Sequence, residues 1–218
     1  MTAPWAVLFD MDGTLVETEP ILGGALLTVF GALGVPASAV ASNVVQGCGV
    51  AENLARLSAL TRPSIRAEEL YARVEDRALD RLRTGITPLP GAVDLLRALR
   101  LARVACALVS SSYRAMVDAV LPSLGGAEFT VTLAGDEVRC PKPDPECYRT
   151  AEARLGVGPE RCVVIEDSCA GIRSGLAAGC VLVSVAPTRE PVALAVDGLS
   201  ELTVRRLARL VEGEEGGP

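Results

Sequence analysis

The sequence contains no histidine, and one lysine, Lys142, against 20 arginines. Without histidine the common Cys/His zinc sites are excluded. The seven cysteines include no CxxC pair and no four-cysteine spacing that would replace such sites. Aromatic residues are only 3% of the chain, so a core has to be assembled mainly from Ala, Val and Leu. No apolar run reaches the length of a membrane span. The first, Trp5-Ala6-Val7-Leu8-Phe9, is also too short for a signal sequence and has no basic segment before it. Clusters of Lys and Arg with interleaved aromatics are missing, and the net charge is −6. A nucleic-acid face is therefore not expected, because phosphate contacts dominate that affinity. Where arginines do occur, as at Arg73 and Arg77 beside Glu75 and Asp76, both signs alternate as on a solvated helix face.

What is present describes a packed protein. Half of the 218 residues are hydrophobic and 22% are charged, enough to bury a sizeable core in one large domain or one core plus an insert. Cys106, Cys162 and Cys180 sit in or beside apolar runs, where a small buried thiol is the expected reading and a reducing compartment follows. The expectation is a soluble, cytoplasmic protein with neither a nucleic-acid nor a membrane partner, a monomer or weak homodimer.

Five short apolar runs have strand length: Trp5–Phe9, Val104–Val109, Phe129–Leu133, Cys162–Ile165 and Val181–Val185. Helical patterns lie between them at Ala92–Arg100, Tyr113–Leu121, Pro145–Leu155 and Ala170–Ala178. Strands alternating with helices imply a parallel sheet covered on both faces. One stretch breaks the alternation. From about Ile21 to Thr84 helix follows helix, punctuated by Pro36, Pro63 and Gln46-Gly47-Cys48-Gly49, and Thr87–Gly91 reads as the return linker. The chain is thus expected to be α/β: a doubly wound parallel core from residues 1–16 and 88–218, with a helical insert at 17–87 after the first strand. The acidic, Gly-rich tail Glu212–Pro218 is expected to fray.

Four segments carry chemistry. Asp10-Met11-Asp12-Gly13 follows the first strand directly. In an open α/β sheet, ligands bind beyond the carboxyl ends of the strands. Two aspartates placed there repel, a cost that a divalent cation removes, while Gly13 permits a sharp turn. An Asx-rich turn without a ligand remains open for this segment alone. Ser110-Ser111-Ser112 follows the second strand, where hydroxyls and helix-start amides can hold phosphate oxygens or simply cap a helix. Lys142 stands in Cys140-Pro141-Lys142-Pro143-Asp144-Pro145. Its retention in an arginine-rich chain suggests a site that needs a compact ammonium, the alternative being a chance surface lysine. Glu166-Asp167-Ser168 ends the fourth strand and opens a helix, as a metal site or as ordinary first-turn acids.

Taken in this order, the four segments resemble the haloacid dehalogenase superfamily of phosphohydrolases over about Val7–Ala186. The insert is similar to the small helical cap of its β-phosphoglucomutase-like and phosphoglycolate-phosphatase-like members. The resemblance implies a Rossmann-like core, Asp10 as nucleophile through an aspartyl-phosphate and Asp12 as general acid/base. It further implies magnesium held by Asp10, the Asp12 carbonyl and Asp167, with Glu166 nearby or water-bridged. Ser110, Ser111, Lys142 and Gly47 would contact the phosphate ester. Dehalogenating members lack the second acid, so Asp12 places the chain with phosphoryl transfer. Two features depart from the pattern. Glu17 stands where many members have aspartate. The Gly47-Cys48-Gly49 loop is followed by Val50-Ala51-Glu52, without the arginine and histidine of the related mutase. The expected function is a small-molecule phosphatase; a sugar-phosphate mutase and a non-catalytic binding protein are the alternatives.

Overall fold

A computed structural model of the chain describes residues 5–44, 54, 56–61, 65–126 and 128–213. The expected loop at Gly47-Cys48-Gly49, its sequel Val50-Ala51-Glu52, Pro63 and most of the acidic tail lie outside the described residues. The chain divides into two compact units, residues 1–17 with 87–218, and residues 18–86.

The larger unit is built on six parallel strands: β1 (Ala6–Phe9), β2 (Ala105–Val109), β3 (Val131–Leu133), β4 (Cys162–Glu166), β5 (Val181–Ser184) and β6 (Leu194–Ala195). They lie in the order β3-β2-β1-β4-β5-β6. Reversal of direction beside β1 creates the switch point where ligands of such sheets bind. The central strands are buried on both faces and read as continuous apolar runs, as parallel sheets require. Ala6 and Leu8 join Ala107, Val109, Val164 and Leu182 in one core layer with Cys147, Tyr148 and Ala151 of α6 (Glu146–Leu155) and Ile172 and Ala178 of α7 (Cys169–Ala178). Val7 and Phe9, pointing the other way by strand alternation, are equally buried. That face is served by α4 (Ala92–Leu101), which packs on β2, and α8 (Val204–Glu212), which packs on β4; the short α5 (Arg114–Val120) follows β2.

β6 and α8 carried no expectation from the sequence. β6 is only two residues long, below the length at which alternation can be read. α8 is opened by Thr203, whose hydroxyl accepts from Arg206 N–H, and it buries Leu207 and Leu210.

The smaller unit is helical. Its α1 (Glu19–Ala32) packs on α2 (Ala37–Asn43) and on α3 (Ala67–Leu82). α1 buries Ala25, Leu26, Val29 and Phe30, and α3 buries Leu70, Val74, Ala78 and Leu82 at four-residue spacing. Pro36 supplies the extended residue before α2. Among the described residues no helix is long and apolar enough to cross a membrane.

Candidate active site

Strand register decides what meets at the sheet's carboxyl edge. Phe9 is level with Leu108 on one side and with Ile165 on the other. The residues that follow, Asp10, Val109 and Glu166, are therefore neighbours across three strands. Asp10 N–H extends the ladder to Ile165 O at 3.0 Å. Beyond Asp10 the chain turns back at once. Leu15 and Val16 both donate to Met11 O, and Gly13 takes φ 81°, a conformation open to glycine at no cost.

Lys142 ties the three strand ends together. Its Nζ donates to Asp10 Oδ1 at 2.6 Å, to Glu166 Oε1 at 2.7 Å and to Val109 O at 3.1 Å. An ammonium has three protons, so all are used. All three partners are buried, and so is the lysine side chain at 5% exposure. Burial alone would depress the lysine; Asp10 and Glu166 outweigh it and hold the ammonium well above its ordinary range. Asp10 moves up as well, through burial first and then repulsion from Glu166, against the pull of Lys142. One cation thus serves two buried carboxylates and does not fully compensate them.

Glu166 is fully buried and fully engaged. Oε1 accepts from Lys142 and from the Tyr148 hydroxyl at 2.8 Å. Oε2 accepts from Asp167 N–H, Ser168 N–H and the Ser168 hydroxyl. Gly171 makes room for it: a Cβ there would overlap Glu166 Oε1. Five donors on two oxygens leave this carboxylate little capacity to ligate a metal. The crowding accords with the expectation of Glu166 near the metal or bridged to it by water.

Asp12 is held from β2. The hydroxyls of Ser110 and Ser112 donate to its Oδ2 at 3.1 and 2.9 Å, and Ser112 N–H donates to Ser110 Oγ at 2.9 Å. Ser111, expected beside Ser110, is exposed, and its carbonyl occupies the place where a Cβ on Gly135 would intrude. Asp167 completes the group, its Oδ1 accepting from Thr14 Oγ1 at 3.4 Å. Burial, then Glu166, raises the Asp167 carboxyl to about 6.

Asp10, Asp12, Lys142, Glu166, Asp167 and Ser110 are thus brought together from separate places in the sequence; Ser111, next to Ser110, is exposed, and Gly47 lies outside the described residues. Tyr148 and the contact of Thr14 with Asp167 carried no expectation from the sequence, and the serine run did not say that Ser112 would hold Asp12. Ser112 stood in the serine run, where the three hydroxyls look equivalent. Tyr148 lies within the expected helix Pro145–Leu155, where nothing in the sequence singles out its hydroxyl.

Among the described residues, ligand atoms of Asp10, Glu166 and Asp167 lie within 4.8 Å of one another. With Glu166 engaged, Asp10 and Asp167 remain as hard oxygen donors, and four carboxylates face one ammonium. That donor set and charge excess fit a small divalent cation such as magnesium. A second group, Cys140, Asp144 and Glu146, lies toward the surface and is already used locally. Glu146 accepts from the N–H groups of Arg139 and Cys140, and Asp144 accepts from Glu146 N–H. The open cleft of about 670 Å³ beside these residues contains none of Asp10, Asp12, Lys142 or Asp167.

Comparison with known proteins gives this geometry a lineage. A family model described as haloacid dehalogenase-like hydrolase matches residues 6–179. Hexitol phosphatase A of Escherichia coli is 32% identical over 205 residues, 91% of this chain and 93% of that protein. Fructose-1-phosphate phosphatase YqaB of Escherichia coli is 33% identical over 184 residues, 82% of this chain and 95% of that protein. A crystal structure of CbbY from Rhodobacter sphaeroides in complex with phosphate is similar at TM-score 0.80 and 27% identity, covering 94% of this chain and 99% of that one. The family match begins with β1 and ends just past α7, spanning every residue of the site, and the chain belongs to the haloacid dehalogenase-like hydrolases.

Proposed function

We propose that the chain is a magnesium-dependent phosphatase of small phosphorylated metabolites, with phosphorylated sugars and polyols as the substrate class. The observation that carries the reading is the buried Asp10 carboxylate at the end of β1, in contact with Lys142 and followed two residues later by a second acid braced by serines. The substrate class is supported by relatives named for hexitol and fructose 1-phosphate.

In this reading Asp10 attacks phosphorus, the bond to the ester oxygen breaks, and an aspartyl-phosphate forms. Asp12 gives a proton to the departing oxygen. It then takes one from the water that attacks the same phosphorus, releasing inorganic phosphate and restoring Asp10. Lys142 offsets charge on the phosphoryl oxygens as it does on Asp10, and Ser110 donates to one of those oxygens. Asp10, Asp167 and the Asp12 carbonyl would hold magnesium, which when bound supplies positive charge against the acids and the phosphate. Glu166 acts through Lys142. Residues 17–87, read as a cap, are where choice among esters would reside, Gly47 included.

The test is phosphate release from a panel of hexose and hexitol phosphates, with magnesium and with a chelator. Magnesium-dependent release is expected, and equal rates in the chelator would remove the metal from the proposal. β-Glucose 1-phosphate with a trace of its bisphosphate belongs in the panel. Free phosphate is the expected product; rapid glucose 6-phosphate with little free phosphate would favour the mutase instead.

A further inference from the structure

Tyr148 is fully buried on the inner face of α6. Packing there asks only for an aromatic body: its helix neighbours Cys147 and Ala151 belong to the same apolar layer under the sheet. Yet its hydroxyl donates to Glu166 Oε1 at 2.8 Å, the oxygen that also accepts from Lys142 at 2.7 Å. The face of its ring lies 5.0 Å from Lys142 Nζ. One side chain thus touches both members of an ion pair that the phosphoryl-transfer chemistry uses only from the Lys142 side.

We propose that Tyr148 is a positioning residue: acting through Glu166, it sets how Lys142 divides its charge between Glu166 and Asp10. The reasoning is a matter of lone pairs. A carboxylate oxygen offers two acceptor sites, and on Glu166 Oε1 both are taken, one by the tyrosine and one by the lysine. Oε2 is held independently by Asp167 and Ser168, so the carboxylate cannot turn. Gly171, having no Cβ, leaves the space that Oε1 occupies. The tyrosine hydroxyl draws negative charge from the oxygen that competes with Asp10 for the ammonium. Without it, Lys142 is the sole donor to Glu166 Oε1 and shifts toward it, away from Asp10 and from the phosphoryl group. The ring, lying near the ammonium, limits movement on the remaining side by a cation–π contact.

The inference rests on reading Asp10 as nucleophile and Lys142 as its cation, and its test is chosen to separate the two. Lys142 is the only lysine in the chain. Labelling with nitrogen-15 lysine therefore gives a single side-chain ammonium resonance, readable with or without turnover. Tyr148→Phe keeps the ring and removes only the hydroxyl. The expected result is a displaced ammonium resonance and a kcat lowered about ten-fold, the loss expected for one hydrogen bond to a charged group. KM should stay within about two-fold, since substrate does not touch Tyr148. Adding Tyr148→Phe to Glu166→Gln should cost little more than Glu166→Gln alone, because the tyrosine acts through that carboxylate. An unmoved resonance, a kcat near wild type, or fully additive losses would each overturn the proposal. Wild-type protein that hydrolyses no ester would instead defeat the phosphatase reading, with the resonance still deciding the role of Tyr148. Should Tyr148→Phe fail to fold, 3-fluorotyrosine placed at position 148 keeps the shape and strengthens the donor. It should move the ammonium resonance, and no movement would overturn the proposal.

Discussion

Gly13 and Asp167 meet where no further atom fits: a Cβ on Gly13 would overlap the Asp167 carboxylate at Oδ2. The turn after β1 and the end of β4 thus approach as closely as two backbones with one side chain between them can. Gly13 also holds φ 81°, which an alanine adopts only with strain. Gly13→Ala is expected to lower stability by about 1–3 kcal/mol and to cost far more than that in phosphate release, because Asp167 must move. Denaturant unfolding beside a phosphate assay separates the two losses. Full activity in the variant would show that the place of Asp167 is immaterial.

Asp10→Asn is expected to fold as well as wild type. It removes a charge that burial and Glu166 both disfavour, and Lys142 keeps Glu166 as partner. Turnover should vanish, since an amide cannot form the aspartyl-phosphate. Calorimetric titration should also show weaker magnesium binding. Retention of a rate near wild type would exclude Asp10 as nucleophile.

Lys142→Ala leaves Asp10 and Glu166 buried with no cation between them. A loss of about 3–5 kcal/mol in stability is expected, the cost of stranding buried charge, together with loss of activity. Lys142→Arg should restore part of the stability and little of the activity. The planar guanidinium cannot direct protons to Asp10, Glu166 and Val109 O from one nitrogen as the ammonium does. An arginine variant as active as wild type would show that only charge matters at this place.

Glu152 offers a pH test remote from the site. It is buried on α6 and accepts from the Cys180 thiol, and burial raises its carboxyl above the ordinary value of 4.5. A carboxyl with a raised pKa in the fold holds its proton more tightly there than in the unfolded chain. Its contribution is most favourable below the ordinary value and declines as pH rises through it toward the raised one. Glu152→Gln should therefore raise Tm at about pH 8 and leave it nearly unchanged at about pH 4. Thermal unfolding at both values is the check, and a lower Tm at the higher pH would reverse the sign.

Much of this was legible in the linear chain because the relevant forces are local. Apolar runs such as Trp5–Phe9 and Cys162–Ile165 have to be buried strands, and helices between them force parallel pairing. Acids placed just after such strands end at the sheet's carboxyl edge whatever the rest does, so Asp10, Asp12 and Asp167 could be named from position alone. A lone lysine among arginines marked Lys142 by chemistry. What the chain in one dimension could not state was which atoms face each other. Register put Asp10, Val109 and Glu166 side by side, and only then do the three protons of Lys142 find their partners. The serine run showed three equivalent hydroxyls; the turn out of β2 brought those of Ser110 and Ser112 to Asp12. Tyr148 is the plainest case. By sequence it is an aromatic on a buried helix face, and hydrophobicity alone accounts for it. Its hydroxyl gains a role only because α6 packs on β1, β2 and β3, from where Tyr148 reaches the carboxylate at the end of β4, and a fully buried carboxylate must find a donor for every oxygen.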